Sequence, residues 1–183
     1  QKHYLEEGEA SLAFVDTAGS GFLEFRDRET LSISNKEEAF MLLTLLKDLL
    51  KRVGINKNES QAWQVGLIAP YSAQVRLLKE MVALDPEWVF LKQLDQNLTI
   101  STVDGFQGQE RDIILISLTR SNEQGEIGFL SDTRRMNVAL TRAKRKLIVL
   151  GDSATIGNNG FYQSFLDFVQ EQGAYHSVYE FMD

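Results

Sequence analysis

The chain has 183 residues and a net charge of −7, with 43% hydrophobic, 25% charged and 10% aromatic residues, two prolines and no cysteine. One ordinary domain that buries roughly 70% of its unfolded surface fits this length, and the composition excludes collagen-like and disordered classes. Without cysteine there is no disulfide framework, thiolate nucleophile or cysteine-zinc site, and His3 and His176 stand at the two ends, so no metal-ligand cluster is expected.

Intracellular residence is the expectation. No apolar run approaches the roughly 20 residues of a membrane span, and the start Gln-Lys-His-Tyr has neither signal-peptide character nor an initiator methionine. The chain is therefore expected to be a fragment of something longer. The charge is uneven: residues 1–40 carry −5, residues 41–150 carry +3 and residues 151–183 carry −5. Screening limits exposed charges to a reach of about 8 Å, so a ligand feels the local cluster. The densest is Arg134, Arg135, Arg142, Lys144, Arg145 and Lys146, with no acid between them.

In chain order, apolar runs predict strands at Ser11–Asp16, Val65–Ala69, Leu98–Thr102, Asp112–Leu118 and Lys146–Gly151, of the continuous kind that suits a parallel sheet covered on both faces. Between Lys36 and Val53, Ala39, Leu42, Leu43, Leu46, Leu50 and Val53 follow helical spacing. Asn35 with Glu38 resembles a capping box, and Gly54 is the expected C-cap. A second helix is expected from Ser72 to about Leu84, stopped near Asp85-Pro86, a third from Asp132 to about Lys144, and a fourth from Phe161 to Gln172 with Phe161, Phe165 and Phe168 in the core. Gly19–Ser34 reads as a hairpin or an excursion from the sheet, and Glu87–Gln96 as helix or irregular insert. Strands alternating with helices predict a doubly covered parallel α/β sheet, with ligands at the carboxyl ends of its strands.

Three segments carry candidate chemistry. Ser101-Thr102-Val103-Asp104-Gly105-Phe106-Gln107-Gly108-Gln109-Glu110 leaves one strand and precedes the next. Its two glycines, three apart among hydroxyls and amides, let a backbone approach phosphate, while a plain turn is an equal reading of the spacing alone. In Arg134–Lys146, a continuous helix would bring Arg135 and Arg142 onto one ridge, seven residues falling about 20° short of two turns. A solvated basic face is the bland alternative. In Ile68-Ala69-Pro70-Tyr71-Ser72-Ala73-Gln74, a strand ends in proline with Tyr71 and Gln74 nearly one helical turn apart, and Tyr71 reads either as a stacking ring or, more commonly at such a junction, as core.

Taken together, IAPYSAQ, STVDGFQGQERDIILISLTRS and RRMNVALTRAKRKLIVLGD resemble, in order and spacing, motifs IV, V and VI of superfamily 1 helicases, closest to the group of the nonsense-mediated-decay helicase and senataxin. The resemblance covers at least Val65–Asp152 and implies a RecA-like three-layer α/β sandwich with a mainly parallel central sheet. It implies that residues 1–183 form a single second motor domain, closing over ATP and magnesium held mainly by an N-terminal RecA-like domain of the same chain, with single-stranded DNA or RNA running across both. Carried over by position, Arg142 resembles the arginine finger and Arg135 its companion. Gly108 and Glu110 resemble the motif V element at the nucleotide, and Gln107 falls between nucleotide and nucleic acid. Thr102, Ser101 and Asp104, with Tyr71 and Gln74 of motif IV, resemble nucleic-acid contacts. The resemblance also implies 5′→3′ movement.

No GxxxxGK[ST] loop, DExx-type acid pair or YRMH-like segment occurs in the chain. The chain alone is therefore expected to bind nucleotide weakly and hydrolyse none, because the phosphate loop and its lysine supply most of the binding. The alternative from another class is a non-catalytic nucleic-acid- or protein-binding module derived from a helicase domain. A stand-alone nuclease is disfavoured by the lack of clustered carboxylates.

Overall fold

A computed structural model describes residues 11–53, 63–90, 97–106 and 108–182. Residues 91–96 of the ambiguous insert, the expected Gly54 cap and Gln107 lie outside the described residues.

The main strands are β1 (Ser11–Asp16), β4 (Val65–Ala69), β5 (Leu98–Thr102), β6 (Arg111–Ser117), β7 (Ala143–Gly151) and β8 (Tyr175–Ser177), while β2 (Phe25–Arg26) and β3 (Ile33–Ser34) form an antiparallel hairpin apart from them. The six main strands make one sheet in the order β5-β4-β6-β7-β1-β8, every neighbouring pair parallel. The central runs VGLIA of β4 and IILIS of β6 are buried at every position. Both faces are covered, as continuous apolar strands require. One face packs on α1 (Lys36–Val53) and α2 (Ser72–Leu84) through residues such as Leu42, Leu46, Leu67 and Leu115. The other packs on α4 (Thr133–Leu140) and α6 (Gly160–Glu171) through Phe14, Ile116, Met136 and Tyr162. Short helices α3 (Pro86–Phe90) and α5 (Ser153–Ile156) fill junctions.

Four local expectations are corrected. The third helix stops at Leu140, and Arg142 lies in the turn that follows, so Arg135 and Arg142 do not share a helical ridge. The helix is closed by Thr141 and Arg142 N–H groups donating to the Val138 and Ala139 carbonyls (3.1 and 3.3 Å), and Ala143 and Lys146 are claimed by β6, where they pair with Arg111 and Ile113. Gaining ladder bonds on a neighbouring strand outweighs the helical preference of Ala-Lys-Arg-Lys. Secondly, Phe168 is 51% exposed, because α6 buries the stripe Tyr162, Leu166 and Val169. Thirdly, β8 has no counterpart among the expected strands: three half-buried residues are too short a run to show period.

The fourth concerns the capping box. Asn35 Oδ1 does accept from Glu38 N–H (3.1 Å), but Asn35 N–H donates to Gln74 Oε1 (2.8 Å) instead of to Glu38. The Glu38 carboxylate instead accepts from the Ser117 hydroxyl (2.7 Å) and Thr119 N–H (2.8 Å) at the end of β6. It is fully buried, and burial, offset in part by those two hydrogen bonds and reinforced by the Asp152 charge, pushes its pKa up to about 7. A carboxyl raised in the folded state contributes stability below its unfolded pKa and loses it as pH climbs through the folded one. Between pH 5 and 8 the chain should therefore lose on the order of 2 kcal/mol through this group. Urea denaturation at both pH values should show that slope in the wild type and its loss in Glu38→Gln; an equal slope in both would place the titration elsewhere.

Candidate functional site

The segment 101–110 crosses from the carboxyl end of β5 to the amino end of β6, so its residues divide between two edges of the sheet. Ser101 and Thr102, both half-buried, end β5 beside Ile68 and Ala69. A 3-10 turn over Val103–Phe106 follows, fixed by the buried Val103 and Phe106. The two glycines of this motif answer different needs. A Cβ on Gly105 would stand 1.7 Å from Ser101 Oγ, so that glycine is required by packing on the strand it has just left. Gly108 has a φ of +77° with nothing within 4 Å of a Cβ, and so supplies a left-handed bend in an open position.

At the far edge, Glu110 is exposed and Arg111 N–H donates to the Arg142 carbonyl (3.1 Å), so the Glu110 loop and the Arg142 turn leave the sheet side by side. Arg142 Nε is buried without a hydrogen-bond partner, and Arg142 takes no part in an ion pair among the described residues. A desolvated guanidinium N–H left unpaired is costly, and an anion at that edge would satisfy it. The donor set thus fits a phosphate, in the way arginine forks recognise phosphate oxygens. This edge is formed by the amino ends of β6 and β7, the opposite end of the sheet from the carboxyl ends at which ligands are expected.

Arg135 sits on α4 and pairs with Asp104 (3.2 Å) and with Asp132 (3.5 Å), whose carboxylate also caps the helix by accepting from Arg135 N–H (3.3 Å). Asp104 and Arg135 line a cavity of about 430 Å³ together with Val103, Asp132, Arg134 and Val138. Both partners are about half exposed, so the pair orients side chains more than it stabilises the fold.

Tyr71 and Gln74, expected as nucleic-acid contacts, both have side chains in the interior. Gln74 exchanges two hydrogen bonds with the Asn35 backbone and donates to Ser117 Oγ (3.0 Å). The Tyr71 hydroxyl accepts from Arg120 Nη1 (2.9 Å) and Phe129 N–H (3.1 Å), and its ring stacks on Phe129 at 4.9 Å between centroids. Both are structural supports of the site.

Arg120 is a residue that sequence reasoning misses, although it lies in the quoted LTRS. It is 2% exposed and its Nε donates to Glu24 Oε1 at 3.0 Å. Glu24 also accepts from Ser121 N–H (2.9 Å) and the Asn122 amide (2.6 Å), which docks the hairpin arm onto the end of β6. A short sequence window cannot reveal a partner 96 residues away.

With this geometry in hand, comparison with known proteins identifies the class. An AAA domain family matches residues 1–154. The mouse "DNA-binding protein SMUBP-2" is 38% identical over 178 residues, 97% of this chain and 16% of that protein. "Helicase sen1" of Schizosaccharomyces pombe is 36% identical over 142 residues, 78% of this chain and 8% of that protein. An "uncharacterized ATP-dependent helicase" of Methanocaldococcus jannaschii is 34% identical over 163 residues, 88% of this chain and 21% of that protein. The chain belongs to the superfamily 1 helicases, in the group that includes Sen1 and SMUBP-2, and its α/β fold is of the RecA-like type. It spans less than a quarter of the length of each of these relatives.

Gly128, with φ +51°, lies against the Arg120–Tyr71 clamp: a Cβ there would meet Arg120 Nη1 at 2.2 Å and Tyr71 Oη at 2.4 Å. Gly128→Ala should therefore cost about 3 kcal/mol, combining left-handed strain with overpacking. Chemical denaturation measures this, and a loss below about 1 kcal/mol would mean that the clamp yields freely.

Proposed function

We propose that this chain is the C-terminal RecA-like domain of an ATP-dependent helicase, which moves along or unwinds nucleic acid only together with an N-terminal RecA-like domain of the same protein. The observation that carries this reading is Arg142, whose unpaired, desolvated Nε lies beside the Glu110 loop at one edge of the sheet. Helicase names among relatives that match most of this chain support it.

In this reading the partner domain holds most of ATP and its magnesium, and this domain closes on the phosphates. Arg142 places its guanidinium against charge developing on the transferring phosphoryl group, a role worth on the order of 10³–10⁵ in rate in comparable enzymes. Arg135 is held by Asp104 near the start of α4, whereas Arg142 follows its end, so Arg135 adds a second cation on the Asp104 side of the domain. Gly108 lets the backbone approach the nucleotide, and Glu110 lines the cleft. Ser101 and Thr102 offer a hydroxyl edge to the backbone of a single strand of DNA or RNA, and Asp104 links that edge to α4. Closure and reopening around bound nucleotide move this edge relative to the partner domain, a hinge-type cycle. Backbone contacts through hydroxyls carry little sugar or base information, so this geometry serves either nucleic acid.

In the full-length protein, Arg142→Ala is expected to lower strand-stimulated ATP turnover by about 10³ or more while leaving the unfolding midpoint near the wild-type value. Near-normal turnover would remove Arg142 from this role. A parent protein that hydrolyses no ATP with either strand would replace the motor with a binding platform.

A further inference from the structure

Phe129 is an aromatic ring held in place and left bare. It is 60% exposed, yet every tie around it is fixed. Its N–H donates to the Tyr71 hydroxyl (3.1 Å). Gly128 before it has no room for a Cβ. Leu130 after it is fully buried, with its carbonyl accepting from the Tyr162 hydroxyl (2.6 Å). One face of the ring lies on Tyr71, 4.9 Å between centroids and 18° between planes, and Tyr71 is itself locked from behind by Arg120. The opposite face has no ring partner among the described residues. Single exposed apolar side chains are ordinary on protein surfaces; one whose backbone and rear face are both immobilised is a preorganised contact surface.

Its place in the sheet points to the occupant. Tyr71 follows β4 two residues after Ala69, and Ala69 is the register partner of Thr102. Phe129 therefore stands at the same end of the sheet as the Ser101–Thr102 hydroxyls, about one strand away. Five residues beyond it, Arg134 is exposed and takes no part in an ion pair among the described residues. Arg134 lines a cavity with Val103 and Asp104, which follow Thr102; a hydroxyl edge, a guanidinium and a flat ring at one end of the sheet offer the phosphate and base contacts that alternate along a single strand.

We propose that Phe129 is a stacking platform on which one base of the single strand lies, against the ring face turned away from Tyr71. This rests on the reading of the domain as part of a nucleic-acid track. It adds a base contact to a track otherwise built from backbone contacts. Because every base offers a π-face, the contact is sequence-tolerant and fits a protein that travels. Tyr71 thereby acts on the strand through Phe129, as a positioning residue.

The test uses the full-length protein and fluorescence anisotropy with labelled oligothymidine and with an abasic strand of equal length. Phe129→Ala and Phe129→Leu should each weaken binding to oligothymidine by about ten-fold, the order a stacked base is worth, and Phe129→Trp should restore it. On the abasic strand all four proteins should bind alike. Unchanged oligothymidine affinity in Phe129→Ala would overturn the proposal and turn the ring, with the exposed Leu23 and Phe25 nearby in sequence to Glu24, toward a protein partner. An equal loss on both strands would overturn it by making the ring a structural support. A wild type that binds neither strand would overturn the track reading itself, and this proposal with it.

Discussion

Thr119 leaves β6 with a φ of 73°, a conformation that costs a β-branched residue on the order of 1–3 kcal/mol. It is held there by its N–H donating to Glu38 (2.8 Å) and by its carbonyl accepting from the Asn35 amide (3.2 Å). Around it Asn35, Glu38, Gln74 and Ser117 form a buried polar knot in which the starts of α1 and α2 and the end of the central strand share hydrogen bonds. Such a knot favours one arrangement because breaking any member strands a buried donor or acceptor. The turn at Thr119 sends Arg120 inward to Glu24 and Tyr71, and Tyr71 sets Phe129. The carboxyl end of the sheet is thus organised from a strained backbone outward.

The two edges of the sheet meet different demands. At the amino ends of β6 and β7 an arginine is left partly unsatisfied, which suits a ligand that arrives with another domain and departs again. At the carboxyl ends of β4 and β5 the polar side chains of Asn35, Gln74, Tyr71 and Arg120 behind the surface are hydrogen-bonded, and what reaches solvent is a hydroxyl edge and a ring. Hydrogen-bonded supports resist deformation, which suits the strand-gripping surface proposed above. In the proposed motor, nucleotide chemistry and strand grip are separated by the length of the sheet, and the sheet itself is the rigid coupling.

Much of the scaffold is legible in the sequence because its cause is local. The unbroken apolar runs at Val65–Ala69 and Asp112–Leu118 can only be buried strands or buried helix, and their short length and β-branched content choose strand. The α1 stripe and the Asn35 cap set the bounds Lys36–Val53. What stays hidden depends on distant partners. The helix through Met136 and Ala139 is shortened by the β6 ladder, not by any breaker of its own. Tyr71 and Gln74 have the residue types of ligand contacts, and their burial is decided by Arg120, Asn35 and Ser117, between 39 and 49 residues away. The spacing of the motifs does not show which of their members face solvent.

The path between the edges follows from two pinning points. Phe106 is 1% exposed and packs where a Cβ on Gly66 would come within 2.6 Å of its ring, so the absence of a side chain in the middle of β4 makes its seat. Arg111 is pinned by the ladder to Ala143, and its guanidinium lies 5.4 Å from the Phe106 ring centroid. Between these two points Gly108, with a φ of +77°, supplies a left-handed bend. Phe106, buried against Gly66, cannot shift without opening the core beneath β4. The Arg111–Phe106 contact thus joins the start of β6 to the turn that follows β5 through packing. Motion in the proposed cycle is then the motion of this domain as one body against its partner.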